Sequence, residues 1–180
     1  MSEELLTIAQ KEEGLKIKST NIADLVKSIN KALIIKRADL QESGINIKSV
    51  ELILKTLAVA DSGANISLQI PILGKLSLGS KISEKSIQTT SLTLTPTVPA
   101  KFERGIAVND IEKTVAQSIS SIIEGVNAAN NQNSISMVMD DASFTFNFIL
   151  SGDSSISMII GNGFESELSN TIKIKFERVV

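Results

Sequence analysis

The apolar positions of this chain change period, and later they change it again in the same order. Ile22, Leu25, Val26, Ile29, Leu33 and Leu40 recur near helical spacing and form one stripe. Asn21 stands before the stripe as an N-cap, with Asp24 three positions on, and Gly44 follows it as a residue free to adopt positive φ. From Val50 the period becomes two: Val50, Leu52 and Leu54 alternate with Glu51, Ile53 and Lys55. Asp61-Ser62-Gly63 is a turn signal, and Ile66, Leu68 and Ile70 alternate with Ser67 and Gln69 as a second strand. Pro71 cannot donate to a ladder, so that strand bends, bulges or lies at an edge there. Leu92 and Leu94 alternate with Thr93 and Thr95 in a third strand, which Pro96 ends.

A weaker copy follows over residues 109–176. Asn109 is its cap and Glu112 the reciprocal partner, and Ile111, Val115, Ile119, Ile122, Ile123 and Val126 form its stripe. Phe144, Phe146 and Phe148 alternate with Thr145, Asn147 and Ile149. Ser151-Gly152-Asp153 repeats the turn, Ile156, Met158 and Ile160 the second strand, and Ile172, Ile174 and Phe176 the third. The pattern predicts an α+β fold made by tandem duplication of one unit, a helix plus a three-stranded antiparallel meander. The helix packs on one sheet face and the units lie close together. The expected divisions are 1–20 (N-terminal segment), 21–96 (first unit), 97–107 (linker with Pro99 and Gly105) and 108–180 (second unit). One face of each sheet meets its helix. The other carries Glu51, Lys55, Ser67, Gln69, Thr93 and Thr95, and in the second unit Thr145, Asn147, Ser157, Lys173 and Lys175.

Composition narrows the chemistry. The chain has 180 residues, no His, Cys, Trp or Tyr, and a net charge of −2. Without imidazole or thiol the usual zinc, copper and iron ligand sets are missing, and neither a Ser-His-Asp nor a Cys-His arrangement can form within the chain. No catalytic, metal or cofactor residues are assigned, and no enzymatic activity is expected. The small charge implies neither nucleic acid nor an anionic membrane as partner. The acidic start, with Glu3 and Glu4, is unlike a secretory signal, and no apolar run reaches membrane-spanning length, so a cytoplasmic location is the expectation. Asp140-Asp141 reads as a solvated turn, and Gly161-Asn162-Gly163, which lacks a Walker lysine, as a hairpin turn. Ile53 and Ile149 break the polar face and mark a second contact. With Lys55, Thr93, Thr95 and Lys173 they are the candidate interaction residues.

The segments Ile22-Ala23-Asp24-Leu25, Val50-Glu51-Leu52-Ile53-Leu54 and Ser91-Leu92-Thr93-Leu94-Thr95-Pro96, with the Asp61-Ser62-Gly63-Ala64-Asn65 turn, resemble the trypsin-co-occurring domain family over residues 21–96. The second copy departs from it, since Ile172-Lys173-Ile174-Lys175-Phe176 has no terminal proline. The resemblance implies a role and no reaction. Such domains occur beside trypsin-like peptidases and signalling NTPases in predicted bacterial conflict systems, as adaptor or sensor modules without catalytic residues. The expected function is therefore a protein-interaction module acting on a peptidase or NTPase in trans. A carrier of a small apolar ligand and a structural subunit of a homo-oligomer are the alternatives. A helix–sheet cavity of roughly 300 Å³ or more favours the carrier.

Overall fold

The computed structural model describes residues 19–60, 65–73, 87–97, 110–130, 135–151, 155–157 and 168–180. Residues 1–18 of the N-terminal segment, the Asp61-Ser62-Gly63 turn, most of the 97–107 linker, Asn109, Gly152-Asp153, Met158, Ile160 and the Gly161–Gly163 turn lie outside them. Helix α1 is Ile22–Glu42 and α2 is Asp110–Ala129. The strands are β1 (Ser19–Asn21), β2 (Ile45–Ala60), β3 (Ile66–Leu73), β4 (Ile87–Leu94), β5 (Asp141–Ser151), β6 (Ser155–Ser157) and β7 (Asn170–Arg178).

The expected caps hold α1 at both ends. Asn21 Oδ1 accepts the Asp24 N–H at 2.8 Å, and after Ser43 the chain turns through Gly44 at φ +70°. Leu25, Ile29 and Leu40 of the stripe are buried, and Val26 and Leu33 pack against the core half-buried. In α2 the stripe buries Ile111, Val115 and Ile119.

Both helices cover one face of a single seven-stranded mixed sheet, and their buried side chains join one core. Strand β2 is its axis. Val50–Ile53 pair at once with β4 (Leu94–Ser91) and β7 (Ile174–Thr171), so those two strands flank β2. Leu57 pairs at once with Ile87 of β4 and Gln69 of β3. Strands β3 and β7 therefore share one edge of β2, with β7 on its first part and β3 on its last. The sheet is thus shared by residues from both halves of the chain. The expected meander is not what forms. β4 pairs with β2 on the edge opposite β3, and the residues 74–86 between them are enough chain to cross over. In the second half β5 likewise pairs with both β6 and β7. The ends of β3 and β5 run parallel, Ile72 against Leu150.

Where β7 hands over to β3, the ladder on β2 is interrupted. The buried Asn170 side chain fills the gap. Its Oδ1 accepts the Lys55 N–H at 2.8 Å and its Nδ2 donates to the Phe148 carbonyl at 3.4 Å. An amide side chain offers the donor and acceptor that a strand backbone would offer. On the other edge the buried Thr56 hydroxyl lies 3.0 Å from that of Thr90.

A bulge sets the facing of β2. Ile47 pairs with Phe176 and Ser49 with Lys175, so Lys48 is the extra residue. Ile45 and Ile47 consequently point to the same side as Val50, Leu52 and Leu54, all in the core or packed on it. The core also takes Phe146, Phe148, Ile172, Ile174 and Phe176, and the Phe144 and Phe146 rings stack 5.8 Å apart. Two expected core residues fall outside it: Ile66 is 52% and Leu68 37% exposed. They pair with the last residues of β2, Ala60 and Ala58, rather than with its central Val50–Leu54 stretch, which lies in the core. Glu112 is only 1% exposed and meets Lys31 of α1 at 3.3 Å, an ion pair that ties the two helices together, while Asn109, its expected capping partner, lies outside the described residues.

Asn170→Ala leaves the Lys55 N–H and the Phe148 carbonyl without this partner and is expected to lower the unfolding free energy by about 2 kcal/mol. Asn170→Asp returns the acceptor alone and buries a charge, so it does not recover the loss. Urea unfolding of the two variants measures this, and a change under about 0.5 kcal/mol for either would contradict the role.

Candidate functional site

Two surfaces of this fold are candidates for contact. The first is the sheet face turned away from the helices. Glu51 pairs with both Thr93 and Lys173, Ile53 with Ser91 and Thr171, and Lys55 with Thr89. The register therefore brings Ile53, Lys55, Thr93 and Lys173 together around Glu51, as the alternation implied. Thr95 lies just past β4 and is exposed. Ile149 does not join them as an exposed contact, because it is 2% exposed.

The polar groups of this face are engaged with one another. Lys175 Nζ donates to Glu51 Oε1, Lys55 Nζ to Thr89 Oγ1 at 3.1 Å, and Thr171 Oγ1 to Asn147 Oδ1 at 2.7 Å. Ile53, 44% exposed, is the apolar residue among them. The hydrogen bond from Lys175, with the positive charges of Lys175 and Lys173, holds the Glu51 carboxyl below its ordinary value against the opposing effect of burial. A depressed carboxyl pKa means the pair stabilises the fold above the unfolded-state pKa and loses that contribution as pH falls through the folded value.

The second surface is a half-open groove of about 660 Å³ between α1 and the start of β2. Val26, Leu33 and Ile34 of α1 form one wall, Leu94 and Pro96 the other, and Ile47 lies between them at the start of β2. Arg37, Lys48 and Glu177 also line it. Thr95 is the one residue of the sequence-derived set that belongs to this groove. The other lining residues were not singled out as a site. Pro96 enters the sequence reading as a strand stop and in the family resemblance, and Ile45–Ser49 are hidden because the bulge at Lys48 breaks the alternation that reveals the rest of β2. Ile34, next to Leu33 and widening the apolar stripe, is the available signal.

Among the described residues no group of three or more carboxylates is placed to hold a metal. No helix among them is long and apolar enough to cross a membrane.

The groove and the strands beside it lie almost wholly in one stretch of chain, and that stretch has relatives. Residues 20–96 match the family described as trypsin-co-occurring domain 2. The matched stretch spans α1, β2, β3, β4 and the last two residues of β1, with β2 between β3 and β4. Of the groove's lining residues only Thr97 and Glu177 lie outside it. No curated protein and no solved structure shows a significant match to the chain.

Titrating Glu51 by side-chain carboxyl NMR is expected to give a midpoint below the ordinary glutamate value of about 4.3. Lys175→Met is expected to bring the midpoint back toward that value. A wild-type midpoint at or above it would contradict the pairing.

Proposed function

We propose that this chain is a non-catalytic protein-interaction module, an adaptor or sensor that works in trans with a trypsin-type peptidase. The observation that carries the reading is the match of residues 20–96 to a domain family defined by co-occurrence with trypsins. Composition supports it: with no His and no Cys, the chain holds neither the base of a serine triad nor a thiol nucleophile. A bacterial conflict or defence system is the setting we propose, with a signalling NTPase as the other enzyme class such a module would serve. We also read residues 21–96 and 108–180 as diverged copies of one unit. The shared order of a helix, a long strand and two strands that both pair with it supports this.

The groove is a better contact surface than the outer sheet face. Charged and hydroxyl groups on that face already bond across strands, so a partner would have to displace them. The groove offers apolar walls and cationic side chains, and its desolvation costs less.

One observation favours a second reading. At about 660 Å³ the groove exceeds the ~300 Å³ of a small-ligand site, and it lies between helix and sheet as a carrier's pocket would. Native mass spectrometry of the purified chain separates the two, since a carrier retains a mass adduct.

The peptidase reading is tested with the purified chain and a trypsin-type peptidase of the same organism. Size-exclusion chromatography with light scattering is expected to show a stoichiometric complex. Separate elution of the two at micromolar concentrations, with no change in peptidase activity, would overturn the reading.

A further inference from the structure

The ladder between β2 and β4 ends early. Leu94 pairs with Val50, and no pairing follows, whereas β2 begins at Ile45. Pro96 lacks an N–H and cannot carry the ladder on. Residues 45–49 of β2 are therefore paired to β7 on one edge and, among the described residues, have no ladder partner on the other. At the usual rise that strip is about 16 Å long. It borders the groove, because Ile45, Ile47, Lys48 and Val50 line it together with α1.

This combination selects an occupant. An unpaired strand edge is completed by another extended chain, whose main chain supplies donors and acceptors in register. A wholly apolar small molecule leaves that edge unpaired. A strand added here places every second side chain on the core side of the sheet, against Val26, Leu33 and Ile34. Charge adds a further condition. Arg37 and Lys48 line the groove, both exposed and with no ion-pair partner among the described residues, against the one carboxylate of Glu177. A second copy seating its own β4 does not meet the condition, because Ile87–Leu94 contains no acidic residue.

We infer that an extended peptide segment, apolar at alternate positions and carrying an acidic side chain, adds to the β2 edge at residues 45–49 and fills the groove between α1 and Pro96. That the segment belongs to the peptidase rests on the reading above, whereas the binding mode does not.

The test uses the isotope-labelled 180-residue chain and two blocked synthetic heptapeptides. In one, valine alternates with threonine and glutamate; in the other, lysine replaces glutamate. The glutamate peptide is expected to shift the amides of Ile45–Ser49 and the methyls of Val26, Leu33 and Ile34. It should bind about tenfold or more tightly than the lysine peptide. Arg37→Glu, on an exposed helical position, is expected to leave the fold intact and to reduce or reverse that preference. Shifts confined to other surfaces, no binding at millimolar peptide, or a preference unchanged by Arg37→Glu would overturn the inference. Displacement of an apolar dye from the groove without amide shifts in 45–49 would assign it to a small ligand instead. Adding Arg37→Glu to the peptidase complex separates the two readings. A complex that survives the substitution, with no peptide binding, sinks the groove and spares the peptidase. Peptide binding at the groove without any complex does the reverse.

Discussion

The whole arrangement depends on one strand having two partners in succession along one edge. Strand β2 pairs with β7 over its first part and with β3 over its last, and β4 lies on its other side. A strand interior tolerates no unsatisfied N–H or carbonyl at such a handover. The buried Asn170 amide resolves it by standing in for backbone, linking Lys55 of β2 to Phe148 of β5. The join also decides what the molecule is. Because β7 lies against β2, the stretch that matches the trypsin-co-occurring domain is completed by strands from the rest of the chain, and Val50, Leu52 and Leu54 share a core with Ile172, Ile174 and Phe176.

Much of this was legible in the sequence where local chemistry decides the outcome. The cap at Asn21, the positive φ of Gly44, the stripes of both helices and the alternation of Val50–Leu54, Phe144–Phe148 and Ile172–Phe176 all appear as read. What stayed hidden is set by long-range pairing. Alternation says which way a side chain points and not which strand lies beside it. The shared sheet and the placement of β4 opposite β3 were therefore out of reach. Ile66 and Leu68 alternate like core residues but pair with the last part of β2, where they remain exposed. Glu112 is also buried against Lys31 from the other helix, a contact no local pattern encodes. The bulge at Lys48 broke the period and concealed Ile45–Ser49, and with them the groove.

The same features account for the surface we propose for a partner. The outer face, although rich in the residues that alternation picked out, satisfies its own charges through Glu51, Lys175, Lys55 and Thr89. The groove follows from a strand that stops short: Pro96 ends the β4 ladder, β2 continues beneath α1, and apolar walls remain with Arg37 and Lys48 beside them. Under the proposed interaction reading, this is the surface of the fold that contact would complete.

The central claim is that both halves of the chain fold as one cooperative sheet through the β2–β7 pairing. Native-state hydrogen exchange of the intact protein tests it most directly. Amides of β2 and β7 are expected to exchange only through a common global opening, with the same free energy and the same denaturant dependence. Two separate classes, with residues 21–96 opening independently of residues 110–180, would contradict the account.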